Sequence, residues 1–564
     1  MILFKIYNLV LLIIIIKVIN SNKCGADKLD IKPKLLNITR KIKTSVTSTA
    51  GSDSYTPIAI GYDFTTLKKP KSMDESAFSN VKSVLQETRI EFSKILQIKH
   101  RNIDLTEDLD YIIESCELDT ISQDYPNFLI KNDLIIFPMF HSLDQGVLAA
   151  AAPCIIGDKY RPYAGVLFIN NNLDFGKTNV KLYMKNLLLH EITHILAFHP
   201  YFFEKLNMTK KEDSISYIIS KNVIAKAKEH FGCSSLTQIA LENQGGKGSI
   251  GAHWESRYML GDYMVSTDYP EVAMSDITLA LIEDTGFYKV NYYSGGLFKF
   301  GKNKGCNFFN KKCIENEKAS FDEFCNISKE PKCSSSRTLK SSCFITNYNN
   351  LPSQYQYFLD NTKGGYPSTN YCPVPFEYHS TDYYFSNHCQ VGTSNLFSEY
   401  GESIGKNSLC FMSSLLPENV GIEANSKIPI CYSVECDLNK KSIIVIIGSK
   451  RIICPNTGGI LSDPSGFKGS IECPKFSEIC STNDSLICNE MFSCFTELAK
   501  RDNYSYETSY YDYEGLSSEI NLNNQNNDDD HYDDDYINPI SRTESYNIKT
   551  NLVLVFFFLF MLIN

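Results

Sequence analysis

Nowhere in this chain do lysines and arginines gather into a stripe, which sets nucleic acid aside as a partner. No paired C-x-x-C spacing is present, which argues against a structural zinc cluster among the cysteines. No segment repeats itself, and the acidic runs lack the glycine and terminal glutamate of an EF-hand calcium loop. Long apolar runs are missing as well. The C-terminal LVLVFFFLFMLI (552–563) would form a helix about 18 Å long, against roughly 30 Å of bilayer hydrocarbon.

What the ends do contain speaks for export. Residues 1–22 carry Lys5, an apolar run from Leu9 to Ile16, and then Asn20, Ser21 and Asn22. That is the layout of a secretory signal peptide, with a retained signal anchor as the alternative. The apolar tail within 551–564 fits the removable signal for a GPI anchor, with Ser541 and Ser545 as attachment positions and a short membrane helix as the alternative. Of nineteen cysteines, fifteen fall between Cys306 and Cys494, which implies a disulfide-stapled region in an oxidising compartment. The connectivity stays open, and the odd count leaves one cysteine over if all others pair. Cys24 is the outlier, just past the signal. Asn37, Asn207, Asn326, Asn483 and Asn503 head N-x-[ST] sequons and are glycosylation candidates. Residues 502–550 hold twelve acidic and two basic residues, which accounts for the whole net charge of −10. With DDDHYDDDY (528–536) and abundant Tyr, Asn and Ser, the stretch 501–550 is expected to be a disordered, hydrated stalk.

The chemistry is concentrated in LLLHEITHILAF. Leu187, Leu188, Ile192, Ile195 and Leu196 supply an apolar stripe at helical spacing from Val180 to Phe198, and Pro200 marks the stop. Four residues apart on that helix, His190 and His194 share a face and can reach one metal ion. Glu191 is placed to polarise a water, as metal-assisted peptide hydrolysis requires. The plainer reading is two satisfied helix histidines and a surface carboxylate. A catalytic zinc takes a third protein ligand and keeps its fourth position for water. His199, nine residues past His190, falls on the opposite helix face. Ala197 and Pro200 stand where the compact spacing H-E-x-x-H-x-x-G-x-x-H needs glycine and histidine. His253, after the glycine-rich GGKGSIG (245–251), is the better candidate, and Glu255 is a possible carboxylate ligand of another kind of zinc enzyme.

Taken together, H-E-x-x-H, the glycine-rich loop, HWESR (253–257) and Met264 eleven residues past His253 resemble the leishmanolysin family of zinc metalloproteases. GVLAAAAPC (146–154), AGVLFINN (164–171), AKAKEHFGC (225–233), IEDTGFYKV (282–290), GCNFFNKKC (305–313), QYQYFLD (354–360) and YCPV (371–374) extend the resemblance in the same order. It implies an α+β fold. A metzincin-like catalytic lobe (56–200) would have a mixed sheet and an active-site helix. A central lobe (201–300), mainly helix and loop, would carry His253 and Met264, and a cysteine-rich lobe would cover 301–500. The resemblance further implies one catalytic zinc on His190, His194 and His253, Glu191 as general base, and Met264 at the Met-turn. Cys24, in a propeptide spanning 23–55, would be a latency switch whose thiolate takes the open zinc position. The histidines that usually flank that cysteine are absent here, where Asn22 and Lys23 precede it and Gly25 follows. Protein or peptide substrates and a membrane-anchored place at the cell surface complete the expectation. Ala197 departs from the family's usual glycine, a steric cost if φ is positive there. The rival reading is a surface adhesion or receptor protein that keeps the fold without useful catalysis.

Overall fold

A computed structural model of the chain describes residues 31–36, 54–99, 108–119, 132–144, 146–171, 180–244, 246, 248–267, 269, 272–292, 298–376, 387–390, 398–405, 407–418, 426–437, 439–480, 508–511 and 517–520. Cys24, Asn37, Asn483, Asn503, the signal-like residues 1–22 and the apolar tail 551–564 lie outside the described residues. Among the described residues, no helix is long and apolar enough to cross a membrane. Within the acidic stretch, Thr508–Tyr511 and Ser517–Ile520 pair as two antiparallel strands.

The fold is α+β, and its first part is a five-stranded mixed sheet. The strands are β1 (Lys34–Leu35), β2 (Ile60–Tyr62), β3 (Leu134–His141), β4 (Ala149–Ile156) and β5 (Pro162–Asn170), in the order β1-β4-β5-β3-β2. β2, β3 and β5 run parallel, β4 runs antiparallel to β5, and β1 joins the outer edge of β4 in parallel. Both faces of the sheet are covered, so β4 reads as an unbroken apolar run and every residue in it is buried. Alternation along β3 divides the packing: Leu134 and Ile136 join the main core, while Ile135 and Phe137 join a second one. The Cys116–Cys154 disulfide staples that second core.

Helix α1 (Glu75–Ile95) begins at Asp74, whose carboxylate accepts from the Ala77 amide at 2.7 Å. Its buried face recurs at helical spacing through Ala77, Val81, Val84, Leu85, Thr88 and Phe92, and it ends where Leu96 turns extended. Helix α2 (Val180–Leu196) packs on β4 and β5. Gly165 on β5 permits the close approach, because a Cβ there would overlap the Ile195 side chain.

Beyond α2 the central part carries a small antiparallel sheet, β6 (Thr209–Glu212), β7 (Ile215–Ile218) and β8 (Ile239–Ala240), in addition to its helices. Helix α3 (Lys221–Phe231) packs on α4 (Asp276–Asp284). Asp284 accepts from the Asn222 and Val223 amides at 2.9 and 3.0 Å, placing negative charge at the α3 N-terminus. Gly232, at φ 67°, closes the other end of α3.

The last part is a six-stranded antiparallel sheet of β9 (Ser408–Ser413), β10 (Ile428–Asp437), β11 (Ser442–Ile447), β12 (Lys450–Cys454), β13 (Gly459–Ser462) and β14 (Ser470–Cys473), ordered β12-β11-β10-β9-β14-β13. Disulfides 313–372, 325–343, 333–410, 389–431, 436–480 and 454–473 lie within this region, and Cys233–Cys306 ties it to the end of α3.

Candidate metal centre

Burial of the apolar stripe of α2 carries its polar residues inside, where His190, Glu191 and His194 are all 0% exposed. His253 reaches them from a loop that turns at Gly246, Gly248 and Gly251, each at positive φ. The Nε2 atom of His190 lies 3.2 Å from that of His194 and 3.2 Å from that of His253. Each Nδ1 faces a backbone carbonyl: His190 that of Tyr263, His194 that of Phe198 at 2.7 Å, and His253 that of Ser249 at 3.1 Å. A carbonyl only accepts, so Nδ1 carries the proton and Nε2 presents a bare lone pair. Three such lone pairs at this spacing repel unless a cation lies among them. A tetrahedral site with metal–nitrogen bonds of ~2.05 Å has edges of ~3.3 Å. Three neutral imidazoles suit zinc, copper, iron or nickel better than magnesium or calcium. Burial pushes the His194 imidazolium down to about 4, so protons do not compete for its lone pair near neutrality. Among the described residues, this is the group of histidine, cysteine and carboxylate side chains that could hold a metal.

The rings are oriented by a turn that the motif does not contain. Asp262 is fully buried and accepts from the Met264 amide at 2.8 Å, the Thr278 hydroxyl at 2.8 Å and the Ser275 amide at 3.2 Å. The Thr278 hydroxyl in turn accepts from the Trp254 indole at 2.7 Å. One hydroxyl at the start of α4 therefore holds both the neighbour of His253 and the neighbour of Tyr263. Trp254 also donates its amide to the Met264 carbonyl at 3.0 Å. The Tyr263 hydroxyl meets that of Thr193 on α2 at 2.9 Å. Asp262, Tyr263, Thr193 and Thr278 are absent from the residues singled out by sequence. The one cue was an aspartate set in the apolar run YMLGDYM.

The remaining candidates fall as follows. Met264 is buried in that same turn. His199 is no part of the cluster; its Nδ1 accepts from the Tyr201 amide at 3.2 Å and caps the helix Pro200–Lys205. Glu255 is also outside it and caps the helical turn Ser256–Met259 through the Arg257 amide at 3.1 Å. Burial pushes the Glu255 and Glu242 carboxyls up, and the neighbouring Glu255 charge pushes Glu242 further, toward the protonated form. Ala197 does not have a positive φ, so the chain leaves α2 without needing glycine. Asn207 is exposed, whereas Asn326 is half-buried and donates its amide to the Glu317 carbonyl at 2.8 Å.

Comparison with known proteins gives a consistent set of relatives. Residues 86–486 match the family model described as Leishmanolysin, peptidase M8. The chain is 28% identical over 376 residues to a leishmanolysin homolog of Crithidia fasciculata, covering 63% of this chain and 56% of that one. It is 27% identical over 375 residues to the leishmanolysin of Leishmania major, covering 63% and 60%. A leishmanolysin-like peptidase of Drosophila melanogaster is 29% identical over 306 residues, covering 47% and 44%. The chain thus spans little more than half the length of the first two relatives, at 56% and 60%.

Proposed function

The chain belongs to the leishmanolysin family, and from that premise we propose that it is a zinc-dependent endopeptidase acting on proteins or peptides. The observation that carries this reading is the convergence of three Nε2 atoms, two of the spacings being 3.2 Å, with every Nδ1 committed to a carbonyl. His190, His194 and His253 would hold one zinc ion. Zinc bound there supplies Lewis acidity, which lowers the pKa of a water toward neutrality and steadies charge on the scissile carbonyl oxygen. Glu191 takes a proton from the attacking water and delivers it to the leaving amine nitrogen. The Tyr263, Phe198 and Ser249 carbonyls keep each imidazole in the tautomer that leaves Nε2 free to bind. Met264 acts as the floor under the histidines.

Export supports the same reading. The eight disulfides among the described residues suit an oxidising compartment. The signal-like 1–22 and the tail 551–564 suit a protein carried to the cell surface and held there by a GPI anchor, with Cys24 keeping it latent on the way.

The deciding experiment measures bound zinc and cleavage of a varied peptide pool for the protein freed of its pro-segment, beside Glu191→Ala. The expected result is about one zinc in each, with cleavage lost only in Glu191→Ala. Zinc in both with cleavage by neither would refute catalysis and leave the metal structural.

A further inference from the structure

Residues 31–36 lie inside the stretch read as a propeptide, yet they are seated as an added strand of the first sheet. Lys34 pairs with Ile155 and Leu35 with Ile156, in parallel, and the Leu36 amide donates to the Ile156 carbonyl at 2.8 Å. Ile31 and Leu36, only 7% and 6% exposed, enter the core around the Cys116–Cys154 disulfide with Ile112 and Ile155. The helix Leu109–Ser115 closes over the strand. Its Glu114 pairs with Lys34 at 3.0 Å, Lys34 lies over the Tyr111 ring, and the Tyr111 hydroxyl donates to the Leu35 carbonyl at 3.3 Å. The seat therefore offers a backbone edge, two apolar sockets and a charged clasp.

We propose that the outer edge of β4 is a strand-docking surface whose occupant is residues 31–36, and that it holds the pro-segment on the catalytic lobe independently of any bond from Cys24. The proposal rests on the reading of 23–55 as a pro-segment. Strand addition of this kind takes its affinity from main-chain hydrogen bonds and its selectivity from alternate side-chain sockets. Lys34 is fixed, so Cys24, ten residues upstream, stays tethered within ~35 Å at the most. Such a tether raises the effective concentration of the thiolate at the lobe. Cutting the chain between 37 and 53 then leaves a non-covalent complex, and full release must also uncover an apolar strand edge.

The test uses the full chain with a recognition sequence for a site-specific protease inserted between residues 45 and 46. After cutting, gel filtration follows the N-terminal fragment and hydrogen exchange follows the amides of 34–36. The fragment should stay with the body, its amides protected, and should do so equally in Cys24→Ser. Ile31→Asp with Leu36→Asp should weaken retention about tenfold or more. A synthetic peptide of residues 29–38 should displace the fragment from the unaltered protein, and the same peptide carrying Ile31→Asp and Leu36→Asp should not; this arm needs no variant to fold. Release by Cys24→Ser alone, or equal displacement by both peptides, overturns the proposal. Retention is read without substrate, so a protein that cleaves nothing still answers the question.

Discussion

Asp262 touches none of the three histidines through its own side chain, yet it fixes the turn whose Tyr263 carbonyl orients His190. In Asp262→Asn an amide nitrogen would face donors at Ser275 or Thr278. Zinc affinity should fall about 10–100-fold, the range for lost outer partners, with the near-UV circular dichroism of the fold retained. Competition with a chelator measures it. His388 is a second buried group with a readable consequence. Burial pushes it from 6.5 down to about 4, so in the native protein it stays neutral where the unfolded chain is already protonated. Between those values the unfolded state binds the extra proton. Stability should therefore drop as pH falls from 6.5 toward 4, by up to ~1.4 kcal/mol per pH unit from this group. Denaturant unfolding of wild type and His388→Gln at several pH values checks this, the variant showing the shallower slope. At this scale the sequence was legible where chemistry needs particular side chains at close spacing, as in His190, Glu191 and His194. The orienting groups were not, because a backbone carbonyl such as that of Tyr263 leaves no mark in the residue code.

Secondary-structure elements were easiest to read where one period ran long. The nineteen-residue pattern 180–198 became α2 (Val180–Leu196), and AGVLFINN became β5. In α1 the structure adds a cap at Asp74 to a buried stripe from Ala77 to Phe92. The small sheet β6-β7-β8 escaped, because TKKE and ISYI are short and exposed on much of their surface, which leaves no alternation to detect. Contact between elements was also hidden. Gly165 looks like any strand glycine until Ile195 is found against it. Gly165→Ala should push α2 away from β5 and cost about 1–3 kcal/mol, the usual range for overpacking. Ile195→Ala, which removes every overlapping atom, should cost less in the Gly165→Ala background than in the wild type. Chemical denaturation of the single and double variants decides it, and equal stability of Gly165→Ala and wild type would contradict the packing described.

At the scale of the whole chain, cysteine density foretold stapling but not its pattern, since pairing depends on where distant strands meet. Cys333 reaches Cys410 because the strand Pro331–Cys333 packs against β9 and β10, Cys389 reaches Cys431 on β10, and nothing local encodes those meetings. Cys233–Cys306 closes a span of 73 residues and ties the end of α3 to the cysteine-rich part. Cys233→Ala with Cys306→Ala should lower stability by about 2–4 kcal/mol, visible in thermal unfolding. Limited proteolysis should then begin in the segment after α3, while the Cys116–Cys154 region resists. The carbonyl-locked histidines also impose an order on synthesis. His190 and His194 leave the ribosome 59 residues or more before His253, and Tyr263, which sets the tautomer of His190, follows later still. A nascent chain stopped between residues 253 and 262 has all three imidazoles, that of His190 still unoriented. Tight retention of a metal ion would thus date the protein: such a chain has been translated past Tyr263 and has already joined that turn to α2.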